Sequence, residues 1–484
     1  MFLFPLTAWS GQAKYIFLFI GDGMGIAQRS AAQEYLGRAL LMNTFPAQGI
    51  TTTYAADRFI TGSAAAGTAI ACGQKTNTGY VDMDPEQQKV MSVAELAKEQ
   101  GKKVGIISSV SIDHATPASF YAHVPFRGQY YDIAVTLAES GFDFFAGGGL
   151  KDPENNSGYA LEYKGNAWEF VRDNGYTTLR SRQEFEALKP GTGKVVAINP
   201  RLQHGQTLPY AMDQREADIS LAEFTAKGIE LLDNEDGFFI MVEGGKIDWA
   251  CHANDGAAAV HDILAFEQAL HNAYTFYEQH PEETLILVTG DHECGGMSLG
   301  SAGTGYDTNF GLLSSQKVST QKFAQDIIPE LKEQGQSFEQ IKPVITEVFG
   351  FMFKGDPDDS LYVKPHEEEK IEKAFEHSMA GEGENEKIYR LYGKGDPLTV
   401  TLTRILNHKA GIGWTSYTHT GVPVITSAVG AGSERFNGAY DNTEIGLRIM
   451  EIMGCASKVH YTPEGENRDA LGRPRLWPFI DIAN

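Results

Sequence analysis

Basic residues are in deficit. Lys and Arg together number 40 against 63 Asp and Glu, a formal net charge of −23. A scaffold that grips a nucleic-acid backbone needs the opposite sign, so that class is excluded. Cysteine is almost absent, with Cys72, Cys251, Cys294 and Cys455 scattered over 484 residues, too few for a disulfide framework. No uninterrupted apolar run reaches the roughly eighteen residues of a spanning helix, so no transmembrane segment is expected. Fixed-period repeats and low-complexity tracts are also missing, which removes solenoids and long disordered linkers. What is present is an ordinary globular balance, 42% hydrophobic and 21% charged, enough to build a large core. The first thirteen residues, MFLFPLTAWSGQA, are apolar, lack a basic start and read as a shortened signal peptide. They set the expectation of a periplasmic or secreted protein.

Short apolar runs alternate with longer amphipathic stretches. The runs are YIFLFI (15–20), VGIIS (104–108), FFIMV (238–242), TLILVT (284–289) and PVITSAV (423–429), and helical patterns cover 88–100, 213–233 and 254–279. This predicts an α/β fold, with a large, mostly parallel central sheet sandwiched by helices. Residues from about 300 to 410 change character, opening on GSAGTGYDTNFG and continuing in Lys/Glu-rich helical patterns. They are expected to form a mainly helical insertion within one catalytic domain spanning 14–484.

In such sheets ligands bind beyond the carboxyl ends of the strands. Asp22 follows the first run, Glu243 follows FFIMV, and Asp291, His292 and Glu293 follow TLILVT. One acid after a strand is commonly a turn or cap residue, but three strands delivering them together point to a metal-binding rim. Downstream of Glu243, Asp248 and His252 stand four apart, one helical turn, a spacing that suits two ligands of one ion. Carboxylates with imidazoles and no thiolates suit catalytic Zn²⁺, and oxygen-only neighbours suit Mg²⁺. The segment ITGSAAAGTAIACG (60–73) predicts an Ala-rich helix opening at Ser63, whose hydroxyl would sit at a positive helix end. The alternative role for Ser63 is a plain N-cap. No GxSxG elbow supplies a histidine base, so activation by a metal is the more economical reading.

The spaced motifs GDGM (21–24), TGSAAAGTA (61–69), HATPASFYAHVPFR (114–127), VEGGKIDWACH (242–252), TGDH (289–292) and THTG (418–421) together resemble the alkaline phosphatase family, over about residues 14–455. The resemblance implies hydrolysis of phosphate monoesters through a phosphoserine on Ser63. It implies a first Zn²⁺ on Asp248, His252 and His419 and a second on Asp22, Asp291 and His292, completed by Ser63. A third ion, commonly Mg²⁺ in the family, would take Asp22, Thr116 and Glu243, and Arg127 would clamp the phosphoryl oxygens. A homodimer is a further expectation of the family. A phosphodiesterase or sulfatase-like hydrolase of the same fold, or a silent phosphate-binding relative, stands as the alternative.

Three departures bear on that carry-over. Gly62 stands where many relatives place an Asp that steadies the arginine, and His114 and Trp249 stand where some carry Asp and Lys. His114 is open to three roles, as a ligand of the third ion, a donor behind it, or a packed side chain. Trp249 is expected to be a wall. Cys251 and Cys294 neighbour ligand positions but are expected to be buried free thiols, and His123 to be a packing residue.

Overall fold

The computed structural model describes residues 12–381 and 386–455, so most of the apolar leader lies outside the described residues. Fourteen strands follow in chain order: β1 Tyr15–Gly21, β2 Ala47–Thr52, β3 Lys103–Ser108, β4 Phe144–Gly147, β5 Thr177–Leu179, β6 Val195–Ile198, β7 Phe238–Glu243, β8 Thr284–Gly290, β9 Glu293–Cys294, β10 Met297–Leu299, β11 Ile412–Trp414, β12 His419–Thr420, β13 Val424–Gly430 and β14 Gly438–Asp441. Ten of them form one sheet in the order β14-β2-β13-β8-β1-β7-β3-β4-β6-β5. The expected α/β architecture with a mostly parallel sheet is what the chain adopts, and only β13 runs against its neighbours. Its reversal has a local cause. β12 pairs with β9 at the carboxyl rim, so the chain re-enters the sheet from that rim and must run downward.

The central strands are buried along their whole length, as covered parallel sheets require. Alternation then divides each strand between two cores. Ile16, Leu18 and Ile20 of β1 pack against the helices Ser63–Cys72, Val93–Glu99, Tyr130–Glu139 and Thr443–Ile452 on one face. Tyr15, Phe17 and Phe19 face the helices Ile26–Leu36, Leu221–Leu232 and Gly256–Gln279 on the other. Each fully buried aromatic or aliphatic side chain of this kind contributes about 1.5–3 kcal/mol, so β1 is held from both sides. That fixes where its carboxyl end, and hence Asp22, must lie.

Between β10 and β11 the chain runs through a set of helices from Phe310 to Ala410 with a core of its own, including Phe323, Ile341, Ile345, Phe349, Ile371 and Leu402. β10 pairs antiparallel with β11, which brings the two ends of this helical excursion together beside the site. Among the described residues no helix is long and apolar enough to cross a membrane.

Candidate active site

Three adjacent strands of the sheet, β8, β1 and β7, end on one rim, and their last residues open into the site. Asp22 follows β1, Glu243 closes β7, and Asp291–His292 follow β8; all four are fully buried. The turn after β1 is tied down by Gly23, whose amide donates to Asp291 Oδ1 at 3.1 Å. Gly23 has φ +70°, and a Cβ there would lie 2.8 Å from the Cα of Asp248, so both the conformation and the close approach of the helix Lys246–His252 require glycine.

The ligand candidates fall into three clusters. In the first, His252 Nε2 lies 3.2 Å from Asp248 Oδ2 and 3.2 Å from His419 Nε2, and His419 Nε2 lies 3.5 Å from Asp248 Oδ1. In the second, His292 Nε2 is 3.4 Å from Asp22 Oδ1 and 3.3 Å from Asp291 Oδ2. The third joins Asp22, His114 and Glu243, with His114 Nδ1 3.9 Å from Glu243 Oε1 and Thr116 Oγ1 donating to Asp22 Oδ2 at 3.3 Å. Asp22 belongs to both the second and the third.

These groups fit cations. In the first cluster the Nδ1 atoms of both imidazoles sit on backbone carbonyls, His252 on Tyr417 at 2.6 Å and His419 on Thr61 at 2.9 Å. A neutral imidazole that donates through Nδ1 turns a lone pair outward at Nε2, the arrangement of a metal-ligating histidine. The two lone pairs then face each other and Asp248, and only a positive charge reconciles them. Asp248 Oδ1, Asp291 Oδ2 and Glu243 Oε1 are buried acceptors that make no hydrogen bond. A buried polar atom without a partner costs about 1–3 kcal/mol, so three acceptors converging on one rim mark ligand positions.

The electrostatics agree. Burial, then the charges of Asp291, Asp248 and Glu243, push the Asp22 carboxyl well above its ordinary range. Burial, then Asp248, pushes Asp291 up to about 7. Burial works against the charged form of His252, yet Asp248 lifts it to about 9, so protons take up the excess negative charge when cations do not. Metal binding there displaces a proton, and alkaline solution favours loading.

Ser63 is the first residue of the helix Ser63–Cys72, with Gly62 as its N-cap, so the plain N-cap role falls away. Its Oγ lies 3.3 Å from His292 Nε2 and 3.5 Å from Asp22 Oδ1, at the second cluster. Arg127 stands beside the third: its Nη2 donates to His114 Nε2 at 3.0 Å. The steadying partner that Gly62 does not offer is therefore a histidine. The Trp249 ring packs edge-on against His114 at 6.2 Å, as a wall would.

Cys294 Sγ lies within reach of the first cluster; it donates to the Asp248 carbonyl at 3.7 Å, and burial pushes its pKa well up, which holds it as a thiol in the metal-free fold. Cys251 is likewise buried and pushed up by burial. Glu293, on the same rim, is occupied by Gln28 and by the Met297 and Gly296 amides, and it braces the loop. Sequence reasoning passed over Ser108, whose hydroxyl donates to Glu243 Oε2. It ends β3 on the same rim, and that position was the available signal.

The alkaline phosphatase family profile matches residues 13–456. The chain is 30% identical to alkaline phosphatase 4 of Bacillus subtilis over 91% of its own length and 89% of that protein, and 28% identical to the repressible alkaline phosphatase of Saccharomyces cerevisiae over 93% and 83%. It superposes on the crystal structure of a cold-active alkaline phosphatase from Shewanella sp. with a TM-score of 0.75 at 27% identity, covering 91% of this chain and 99% of that one. The fold also matches that of an alkaline phosphatase from the Antarctic bacterium TAB5, with a TM-score of 0.63 at 24% identity over 92% and 98%; a histidine-to-aspartate variant of that protein binds Mg in its M3 site. The chain thus belongs to the alkaline phosphatase family, metal-dependent hydrolases of phosphate monoesters.

Proposed function

We propose that hydrolysis proceeds through a phosphoserine on Ser63, in a centre that takes two Zn²⁺ and one Mg²⁺. Asp248, His252 and His419 would hold the first Zn²⁺, and Asp22, Asp291 and His292 the second, with Ser63 beside it. Asp22, Thr116 and Glu243 would hold Mg²⁺, and His114, which accepts from Arg127 through Nε2 and so carries its hydrogen on Nδ1, would stand behind them facing Glu243. When bound, these ions supply Lewis acidity that favours the Ser63 alkoxide and offsets charge on the departing oxygen.

The rest is the work of the chain. The free N–H groups at the start of the helix Ser63–Cys72 favour an anionic Oγ and an arriving phosphate. As the Oγ–P bond forms, the bond from phosphorus to the ester oxygen breaks and the alcohol departs. Water then cleaves the phosphoserine, restoring the Ser63 hydroxyl and releasing inorganic phosphate. Arg127 spends one N–H on His114 and keeps the rest of its planar fork for two phosphoryl oxygens. The departing alcohol leaves on the open side of the site. The His252 side chain is 37% exposed there, whereas Asp22 and His292 are fully buried. Recognition therefore rests on the phosphate, and specificity for the alcohol is broad.

The observation that carries this reading is the convergence of Nε2 of His252 and His419 at 3.2 Å beside Asp248, each imidazole oriented by a backbone carbonyl. Metal analysis paired with a phosphomonoesterase assay tests it. Chelation should remove the metal and the activity together, and Zn²⁺ with Mg²⁺ should restore both. Full turnover by a metal-free preparation would contradict the assignment.

A further inference from the structure

A fourth cluster of ligand-type side chains lies apart from the catalytic rim, in the core behind the nucleophile helix. Asp82, Glu95 and His123 place one carboxylate oxygen or ring nitrogen each within 4.8 Å of one another. They come from three segments: the loop after the helix Ser63–Cys72, the helix Val93–Glu99, and the stretch leading to Arg127. His123 is thus more than the packing residue its sequence context suggests.

The polar bookkeeping of this cluster does not close with protein atoms alone. His123 Nδ1 lies 3.0 Å from the Asp82 carbonyl, an acceptor, so Nδ1 carries the hydrogen in the neutral ring. Nε2 then turns its lone pair to Glu95 Oε1, 2.9 Å away and also an acceptor. The other Glu95 oxygen is committed to the Ser92 amide at 2.8 Å in a capping box. Asp82 is fully buried, and neither of its carboxylate oxygens has a hydrogen-bond partner of ordinary geometry, the Thr68 hydroxyl and the Cys72 thiol being the donors nearest to it. Burial, then the nearby Glu95 charge, drives its carboxyl well above the ordinary range.

A proton on His123 would join it to Glu95 and still leave the buried Asp82 carboxylate with only the Thr68 hydroxyl and the Cys72 thiol beside it. A protonated Asp82 would leave the lone pair of His123 facing Glu95. A divalent cation satisfies all three at once, with the His123 Nδ1 donating to a backbone carbonyl as metal-ligating histidines do. We propose that Asp82, Glu95 and His123 form a further metal site, distinct from the catalytic centre, for a Zn²⁺-like ion that accepts mixed imidazole and carboxylate ligands.

Its position gives it a structural task. Thr68 Oγ1, on the nucleophile helix, accepts from the Asp82 amide at 2.9 Å. On the other side, Val81 exchanges backbone hydrogen bonds with Val124, and the Arg127 amide donates to the Gly79 carbonyl at 2.8 Å. An ion between Asp82, Glu95 and His123 would fasten the segment that bears Ser63 to the one that bears Arg127.

The inference is independent of the catalytic assignment, and counting ions tests it. The full-length protein is loaded with Zn²⁺ alone, desalted and analysed by atomic emission beside Asp82→Asn and Glu95→Gln. Each variant should carry one zinc fewer per chain than the wild type. Anomalous scattering at the zinc edge from wild-type crystals should place a peak between the three side chains, and this reading needs no variant to fold. Equal zinc in all three proteins, or no peak at that place in zinc-loaded crystals, would overturn the proposal and leave a proton between His123 and Glu95.

Discussion

Replacing Gly62 by Asp restores the residue that many relatives carry before the nucleophile, and the structure allows the consequence to be worked out. Gly62 has φ −119° and ψ 164°, extended backbone that any residue adopts. A Cβ there would meet only Thr78 Cγ2, at 3.8 Å, so neither strain nor a clash opposes the change. The new carboxylate has two uses. As N-cap of the helix Ser63–Cys72 it would add a few tenths of a kcal/mol over glycine. As a partner of Arg127 it would add a charge-assisted hydrogen bond to a guanidinium whose side-chain partner among the described residues is the neutral His114 Nε2. Against the competition of His114 that bond is worth about 1–2 kcal/mol, a five- to thirtyfold effect. Gly62→Asp should therefore tighten inhibition by inorganic phosphate about five- to thirtyfold, and lower turnover wherever phosphate release limits the rate. Arg127→Ala should abolish the difference. Phosphate inhibition constants for the wild type, both single variants and the double variant close the cycle. Additive effects would refute the coupling, and a raised melting temperature with unchanged inhibition would show that the carboxylate caps the helix.

Other variants probe the metals. His419→Ala removes one of three ligands from the first cluster, so zinc content should fall by one ion and turnover with it, with partial rescue by excess Zn²⁺; a full complement would displace His419 from the ligand set. His114→Asp exchanges a nitrogen beside Glu243 for a hard oxygen and should sharpen the response of activity to Mg²⁺, read by titration; identical curves would remove His114 from the third site. Chelated protein should lose stability as pH rises. Asp291 titrates at about 7 in the metal-free fold, against an ordinary 3.8. Between those values the folded state holds a proton that the unfolded state has released, so raising pH favours unfolding. Melting temperatures of chelated protein should fall from pH 5 to pH 8 and recover on adding Zn²⁺; a rise over that interval would contradict the burial argument.

The centre of the fold was legible because its strands are buried on both faces. YIFLFI, VGIIS, FFIMV and TLILVT are β1, β3, β7 and β8 to within a residue or two at each end, and their last residues carry the site. Helix starts were less well read. The helical pattern from 88 begins at Val93, where Ser92 and Glu95 form a capping box, and the pattern from 213 begins at Leu221 behind the same device in Ser220 and Glu223. Both boxes are visible in the sequence as a serine followed three residues later by glutamate, a local signal that periodicity alone overrides. The edge strand β14, its neighbour β2 and the reversal of β13 depend on pairings between distant segments. The same holds for the hydrogen bond from Arg127 to His114, which recasts the effect of Gly62, and for the meeting of Asp82, Glu95 and His123.

The central claim is that Ser63 accepts the phosphoryl group. Acid quenching of the enzyme during turnover of a phosphate monoester, followed by proteolysis and mass spectrometry, measures this directly. The account predicts a phosphate on Ser63 in the peptide TGSAAAGTA, absent from Ser63→Ala and from chelated protein. Steady turnover with no phosphorylated Ser63 at any quench time or pH, or a Ser63→Ala variant at full rate, would contradict it.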